Sequence, residues 1–284
     1  MVLTWQCGLL EGLRRFLAPG PRARVTASVL TSFLRVYGPR KEIALANMAI
    51  AFPEWDLTER KKLLRQVYRH FAWILVEYLA TLNNPALVLE WFVETEGKKI
   101  LDEVVESKRG AVLLFGHFGN WELLGGWLAF SGYPIDAMVR EPEQPELRGL
   151  LENYRSRMGM GTISKDSSRE PIKRLKQGRF VGIAGDQHWG HMGINVPFFG
   201  RDCSTAPGPA AYALLSGAPL IPIAAYRIGP FHYRFEAREP IVVPEEGPRD
   251  EKIRLMTTEA NRSLEKMIRR APEQWLWMHR RWRD

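Results

Sequence analysis

Apolar residues follow two different patterns, and the change comes at about residue 110. Beyond that point, short apolar runs alternate with segments in which apolar residues recur at helical spacing. The short runs predict four buried strands: 111–115, 134–139, 179–184 and 219–226. The periodic segments predict helices near 120–130, 145–158, 169–177 and 207–216. A hairpin at 231–243 and a helix near 249–270 follow. This alternation predicts an α/β fold, one domain with a central mostly parallel or mixed sheet flanked by helices.

The first third of the chain has a helical pattern. The pattern over residues 1–36 predicts one or two basic amphipathic helices with a break at Pro19-Gly20-Pro21. We expect this segment to precede a domain of residues 37–284. An Ala-rich helix over 40–51 should end at Phe52-Pro53. The stretch Asp56-Leu57-Thr58-Glu59 is typical of a capping box and predicts the start of a long helix.

The excess of positive charge is concentrated at the two ends of the chain. Lys and Arg outnumber Asp and Glu by 40 to 32, with seven basic residues against two acidic ones in 1–48. Residues 269–284 contain five arginines and two acids, and both ends also carry aromatic or aliphatic side chains. Basic and apolar residues together favour an anionic membrane surface over nucleic acid, although a solvated basic face has the same composition.

The sequence favours a reducing compartment and peripheral membrane attachment. Cys7 and Cys203 are too few for a disulfide framework and lack metal-ligand spacing. The start of the chain does not fit a signal peptide, because Glu11 interrupts the apolar stretch. The longest uncharged run, 203–226, contains four prolines, so we interpret it as a loop, a short helix and a strand.

Candidate chemistry centres on the stretch LLFGHFGNWELL (114–125). His117 follows a predicted buried strand, and Glu122 comes five residues later. In one continuous helix, two residues five apart would not lie on the same face. Gly116 and Gly119 permit a bend, after which Glu122 would lie in the first turn of a helix and accept a hydrogen bond from the imidazole. A structural histidine beside a capping glutamate is the alternative, but the strand–turn–helix context favours a catalytic pair.

The nucleophile is expected to be a substrate hydroxyl that His117 deprotonates. The sequence contains no G-x-S-x-G elbow, and neither cysteine has a reactive-site context. A metal alternative exists in GDQHWGHMG, where Asp186, His188 and His191 are clustered. Because H-x-x-H in a Gly-rich loop lacks an evident fourth ligand, we expect no metal and no cofactor.

An ordered set of motifs resembles one known family. GHFGNWE is similar to the H-x4-D/E motif of the glycerolipid acyltransferase superfamily, and its surroundings resemble the late acyltransferases of lipid A biosynthesis. The likeness extends over roughly residues 35–283. The other matching stretches, in order, are NMAIAFPEW (47–55), AMVREPEQPEL (137–147), GDQ (185–187), VPFFG (196–200), TAPGPAAYALLSGAPLIPI (205–223) and PEQWLWMHRRWR (272–283).

The resemblance implies a role for each candidate site residue. His117 would be the general base and Glu122 its orienting partner. Arg140 would stabilise the oxyanion or hold a phosphate of the acceptor, while Asp186 and Gln187 would shape the acceptor side. From the residues alone, Arg140 could instead form an ion pair with a neighbouring glutamate (141 or 143), and the Asp-Gln pair could be a strand-end turn.

The resemblance also implies the substrates. Members of this family transfer a fatty acyl chain to a hydroxyl of an acylated glucosamine disaccharide, a lipid A precursor, at the cytoplasmic face of the inner membrane. The implied donor is acyl carrier protein, an acidic partner that suits a chain of net charge +8. Arg280, Arg281 and Arg283 are the first candidates for its docking patch.

Two other functions compete with lipid A acylation. A related branch with the same motif acylates phosphatidylinositol mannosides, and other glycolipids or lysophospholipids are possible acceptors. A non-catalytic membrane-binding relative is the second alternative, which the intact histidine, glutamate and arginine set opposes. One departure from the family concerns its N-terminal hydrophobic anchor, which is short here and interrupted by Glu11, Arg14 and Arg15.

Overall fold

The fold is organised around a strand that is apolar on both faces. The computed structural model describes residues 20–82, 84–140 and 145–283, and strand β2 (Ala111–Phe115) lies in the middle of its seven-stranded sheet. The other strands are β1 (Phe92–Glu96), β3 (Ile135–Val139), β4 (Gly161–Ser164), β5 (Phe180–Ala184), β6 (Ile194–Phe198), β7 (Arg201–Thr205), β8 (Leu220–Gly229) and β9 (His232–Ala237). A sheet with apolar residues on both faces must be covered on both sides.

Helices provide that cover. They are α1 (Pro21–Tyr37), α2 (Lys41–Ala51), α3 (Leu57–Thr81), α4 (Val88–Trp91), α5 (Lys98–Glu106), α6 (Trp121–Phe130), α7 (Pro145–Arg157), α8 (Glu170–Lys176), α9 (Gly208–Ser216) and α10 (Arg249–Arg270). Alternate residues of β2 enter two different cores. Val112 and Leu114 pack in one core with residues of α9 and α10, whereas Leu113 packs in the other with residues of α6.

The sheet is mostly parallel. Its strand order is β1-β9-β8-β2-β5-β3-β4, and only the β8–β9 pair is antiparallel. Strands β2, β5 and β3 therefore all end at the same edge, where an open α/β sheet forms its ligand crevice. Strands β6 and β7 form a separate antiparallel hairpin.

The predicted α/β fold and most predicted elements are confirmed. The helix predicted near 249–270 matches α10, and Asp56 and Glu59 form the predicted capping box at the start of α3. The hairpin predicted at 231–243 is wrong, because the turn lies at 230–231 and β9 pairs back onto β8. Strands β1 and β4 and the β6–β7 hairpin lacked a recognisable signal, since they are short and only partly buried.

Helix α1 packs small residues inward and presents large ones outward. Pro21 is its first residue, at the predicted break, while 1–19 lie outside the described residues. Ala23, Ala27 and Thr31 are buried on the side that faces α3. Among the described residues, no helix combines the length and apolar character that crossing a membrane requires.

The arginines near the C-terminus do not act as one exposed patch. Arg281 is 0% exposed and donates to the Ser204 carbonyl and the Thr205 hydroxyl, each at 2.6 Å. It thus holds the β6–β7 hairpin and is wrong as a docking residue. Arg280 and Arg283, by contrast, are exposed. Adjacent residues in an irregular segment point in different directions, which charge counting along the sequence cannot resolve.

Candidate active site

The loop after β2 turns where only glycine fits. Gly119 has a φ of +59°, and a Cβ atom there would lie 1.7 Å from the carbonyl oxygen of Ala225. Gly116 has an ordinary φ, and its missing side chain instead leaves room for Asp186, whose Oδ2 would lie 3.0 Å from a Cβ. Both glycines were expected to permit the bend. Only Gly119 does so through its left-handed backbone.

The C-terminal segment holds this loop in place from outside the sheet. The Gly119 amide donates to the Gln274 carbonyl, and the Leu276 amide donates to the His117 carbonyl, both at 3.0 Å. Phe118 and Trp275 form an antiparallel bridge between these bonds. The backbone on each side of His117 is therefore paired, which positions its side chain above the carboxyl end of β2.

Asp186, not Glu122, is the hydrogen-bond partner of the His117 ring. The distance from His117 Nδ1 to Asp186 Oδ1 is 2.8 Å, and the His117 backbone amide donates to Asp186 Oδ2 at 2.6 Å. Trp275 Nε1–H donates to the same Oδ2 at 2.8 Å. Asp186 is 2% exposed. With Nδ1–H donating to the carboxylate, His117 Nε2 carries the lone pair and is available as a base.

Glu122 lies at the start of α6, as predicted, but it binds an arginine. Arg155 of α7 donates from Nη2 to Glu122 Oε1 at 2.8 Å and from Nε to Oε2 at 3.3 Å. The expected hydrogen bond from His117 to Glu122 is therefore replaced by a bidentate ion pair that joins α6 to α7. Glu122 still acts on the histidine at longer range, because its negative charge raises the pKa of His117.

The environment favours a charged histidine beside a charged aspartate. Burial lowers the pKa of His117, but the charge and hydrogen bond of Asp186 raise it further, so that it lies above its ordinary value of 6.5. For Asp186, burial raises the pKa, and the contacts with His117 and Trp275 outweigh this effect and lower it. The pair therefore stabilises an imidazolium, the species that forms when His117 accepts a proton.

Gln187 and Trp121 frame the other side of the imidazole. The Gln187 amide nitrogen lies 3.3 Å from His117 Nε2 and donates to its lone pair. The Trp121 ring meets the imidazole edge-on at a centroid distance of 5.1 Å. Asp186 and Gln187, adjacent at the end of β5, thus contact opposite ring nitrogens. The prediction that they belong to the site is consistent with this geometry.

A buried ion pair supports the loop from below. His70 Nε2 donates to the Gly119 carbonyl at 3.1 Å, and its Nδ1 accepts from Arg227 Nε at 3.3 Å. Arg227 in turn forms a short ion pair with Glu77, which is 0% exposed. Burial and the positive charge of Arg227 hold the pKa of His70 well below its usual range, so this histidine is neutral and structural.

His117 opens onto a cavity of about 490 Å³ with two chemically different ends. The polar lining residues are Glu122, Arg140, Arg155, Lys165, Gln187 and His188. The apolar lining includes Leu124, Gly125, Leu128, Ile135, Met160 and Gly182. Such a cavity can hold a hydrocarbon chain with its reactive end at the histidine.

Arg140 lies at the carboxyl end of β3, on the edge of the cavity and exposed to solvent. This position matches the one predicted for a residue that binds the acceptor. The alternative partners, residues 141 and 143, lie outside the described residues. Lys165, at the end of the neighbouring strand β4, lines the same cavity and brings a second positive charge to it.

The metal alternative does not assemble. Within 20–82, 84–140 and 145–283, no three His, Cys, Asp or Glu side chains lie close enough together to hold an ion. Both Asp186 oxygens face His117 and Trp275, and His191 lies in an exposed turn. The separation follows from the chain direction, since residues 190–192 form a 3₁₀ turn that leads away into β6.

Comparison with known proteins identifies the family. The model for the bacterial lipid A biosynthesis acyltransferases matches residues 11–284. The chain belongs to this family. It is 31% identical to a lipid A biosynthesis palmitoleoyltransferase of Escherichia coli K12 over 250 residues, which cover 86% of this chain and 79% of the relative. It is 28% identical to a lipid A biosynthesis lauroyltransferase of the same organism over 253 residues, 88% of this chain and 81% of the relative.

A second group of relatives matches a shorter part of this acyltransferase. A phosphatidylinositol mannoside acyltransferase of Mycobacterium tuberculosis CDC 1551 is 27% identical over 155 residues, which cover 53% of this chain and 49% of the relative. The resemblance inferred from the motifs is therefore confirmed, and the chain is an acyltransferase by family membership.

Sequence reasoning missed two residues that organise the site of this acyltransferase. One is Trp275, whose indole donates to the buried Asp186. The other is Arg155, which was not singled out although it donates hydrogen bonds to both carboxylate oxygens of Glu122. Trp275 lies in the motif PEQWLWMHRRWR, so its place in a family motif was the available signal. Arg155 had none, because a basic residue on a polar helix face is ordinary.

The pH dependence of activity distinguishes the two candidate partners of His117. A histidine that acts as a general base must be neutral, so with His117 in that role kcat/KM should rise with pH through a pKa above 6.5. Asp186→Asn removes the larger source of that elevation and should move this acidic limb to lower pH, with a fall in the maximal rate of about 10²-fold or more. Glu122→Gln, the matched control, should move the limb less. A larger shift with Glu122→Gln would restore Glu122 as the orienting residue.

Proposed function

We propose that this chain transfers a fatty acyl group from acyl carrier protein to a hydroxyl of a lipid A precursor. The observation that carries the proposal is the His117–Asp186 pair at the polar end of a cavity whose other end is apolar. A half-buried base beside a hydrocarbon-sized space fits an acyl thioester. The acceptor class follows from the two relatives that act in lipid A biosynthesis.

The reaction needs one base and no covalent intermediate. His117 Nε2 removes the proton of the acceptor hydroxyl while Asp186 stabilises the resulting imidazolium. The oxygen attacks the thioester carbonyl, an ester C–O bond forms and the C–S bond breaks. The imidazolium then returns its proton to the departing thiolate. The acceptor hydroxyl takes the place of the Gln187 amide, which lies 3.3 Å from Nε2 in this structure. The displaced amide N–H can then donate to the carbonyl oxygen as negative charge develops.

The cavity rim fits an anionic, acylated acceptor. Arg140 and Lys165 bring positive charge that can bind a phosphate. Trp189 and Met192, which also line the cavity, are 38% and 69% exposed despite being apolar. A lipid with phosphate groups and hydrocarbon chains would cover both kinds of surface. Arg140 is therefore assigned to phosphate binding, with oxyanion stabilisation left to Gln187.

Mass spectrometry tests the proposed reaction directly. Lipid A from a host that lacks its own late acyltransferase should gain one acyl chain when this chain is expressed. His117→Ala should reduce the transfer by about 10²–10⁴-fold, since it removes the general base. Thermal unfolding and circular dichroism check that the variant is folded. Unchanged lipid A with the wild-type chain, or near-native transfer by folded His117→Ala, would contradict the proposal.

Acyl carrier protein is proposed as the donor because its acidic surface complements this chain. Arg283 is exposed. Burial lowers the pKa of His188, a cavity-lining residue, and the positive charge of Arg283 lowers it further, which shows that Arg283 lies near the cavity. Arg280 is also exposed. These two residues retain the docking role predicted from the sequence, while the buried Arg281 does not.

The carrier-bound donor should depend on salt and on these two arginines. Raising ionic strength from about 0.05 to 0.5 M shortens the Debye length about threefold, so kcat/KM with acyl carrier protein should fall. Reversing charge in Arg280→Glu/Arg283→Glu should lower that value but spare acyl-coenzyme A. Arg254→Glu, an exposed arginine on α10, is the matched control. Salt-independent kinetics with equal use of both donors would rule out carrier docking.

Helix α1 is proposed to rest on the anionic cytoplasmic face of the inner membrane as a peripheral or monotopic anchor. Its outward face consists of Val25, Val29, Phe33, Val36 and Tyr37, with exposures of 61%, 63%, 61%, 90% and 70%. Their spacing places them on one side of the helix, opposite its small buried residues. Arg22, Arg24 and Arg35 flank this face, a composition typical of interfacial helices.

Vesicle flotation tests the anchor with two valines of similar exposure. Val36→Asp introduces a charge into the apolar face of α1 and should reduce binding to anionic vesicles severalfold. Val242→Asp, at an 82% exposed valine outside α1, should leave binding unchanged. Circular dichroism should show that both variants are folded. Equal flotation of the two variants would argue against α1 as the membrane-binding surface.

A further inference from the structure

The apolar end of the cavity forms an arm that runs down from His117 between α6 and the sheet. In the parallel register, Phe115 is level with Ala184, and Gly182 is level with Ala137. Asp186, which marks the level of His117, lies four residues beyond Gly182. At about 3.3 Å per strand residue, the arm therefore extends about 13 Å below the base.

A methionine closes the deep part of this arm against a glycine. Met160 is 6% exposed, lines the cavity and precedes Gly161, whose backbone pairs with Asp136 near the start of β3. A Cβ atom on Gly125 would lie 2.3 Å from the Met160 sulfur. The thioether thus occupies the space that a side chain at Gly125 would need.

The next residue repeats the arrangement outside the cavity. A Cβ atom on Gly126 would lie 2.0 Å from the terminal methyl of Met158. Neither Gly126 nor Met158 lines the cavity. Adjacent glycines disfavour a helix, so their presence in the middle of α6 has a packing reason, and the two methionines supply it. Only the Gly125–Met160 pair can affect the contents of the arm.

We propose that Met160, seated on Gly125, sets the length of the acyl chain that this enzyme accepts. The inference rests on the proposed acyl transfer and names the residues that select its donor. Methionine is unbranched and flexible, so its end can be displaced into the arm or removed from it without rebuilding the sheet. Each methylene that an arm buries contributes about a fourfold preference, so a shift of two carbons changes the rate by somewhat more than tenfold.

Two glycine variants provide a matched test. Gly125→Ala should push Met160 into the arm, shift the preferred saturated acyl donor toward shorter chains and lower the rate with the originally preferred chain about tenfold. Gly126→Ala adds the same methyl group to the same helix and displaces Met158 instead, so its chain-length ranking should match the wild type. Met160→Ala should shift the ranking toward longer chains without adding an atom to α6.

The measurements are transfer rates over a series of acyl donors and the rise in Tm produced by free fatty acids of graded length. If the wild type transfers acyl chains and both Gly125→Ala and Met160→Ala rank the donors by chain length as the wild type does, the inference is overturned. The proposed acyl transfer would still stand. If the wild type transfers no chain, the proposed function fails. The rise in Tm with fatty acids of graded length then tests the chain-length arm by itself. A length dependence that changes in Gly125→Ala but not in Gly126→Ala supports the arm, and identical series overturn it.

Discussion

The buried carboxylate of Asp186 is the interaction on which the site depends. A charge at 2% exposure must be compensated within the protein, and three N–H groups do so: the backbone and ring of His117 and the indole of Trp275. Asp186 follows β5, whereas these groups come from the loop after β2 and from the C-terminal segment. One charge therefore joins three separate parts of the chain around His117.

The surrounding structure limits how His117 can move. Below the loop, His70 and Arg227 connect the Gly119 carbonyl to the fully buried Glu77 of α3. On its outer side, the C-terminal segment pairs with the backbone of His117 and Gly119. Buried polar networks of this kind are costly when incomplete and rigid when satisfied. A general base benefits from that rigidity, because the proton must be removed in a fixed geometry.

The sheet explains why one end of the cavity is polar and the other apolar. Strands β2, β3 and β5 end at one edge, so the polar residues after them, among them His117, Arg140 and Gln187, meet there. Deeper residues of the same strands belong to the apolar core, and Gly125 and Gly182 line the part of the cavity that enters it. A thioester has the same division, with a polar reacting group on a hydrocarbon chain, which suits the acyltransferase family.

The sequence by itself determined most of the elements, the α/β class, the family and the place of His117 at the end of β2, because these depend on local periodicity, turn chemistry and motif order. Only the tertiary structure decided which carboxylate serves the histidine. Glu122 is five residues away, but the helix turns it toward Arg155, whereas Asp186, 69 residues away, is brought level with His117 by strand pairing. The burial of Arg281 and the seating of Met160 on Gly125 were likewise beyond local patterns. Hydrogen bonds and packing between distant residues depend on the register of neighbouring strands and helices, which no local stretch of sequence encodes.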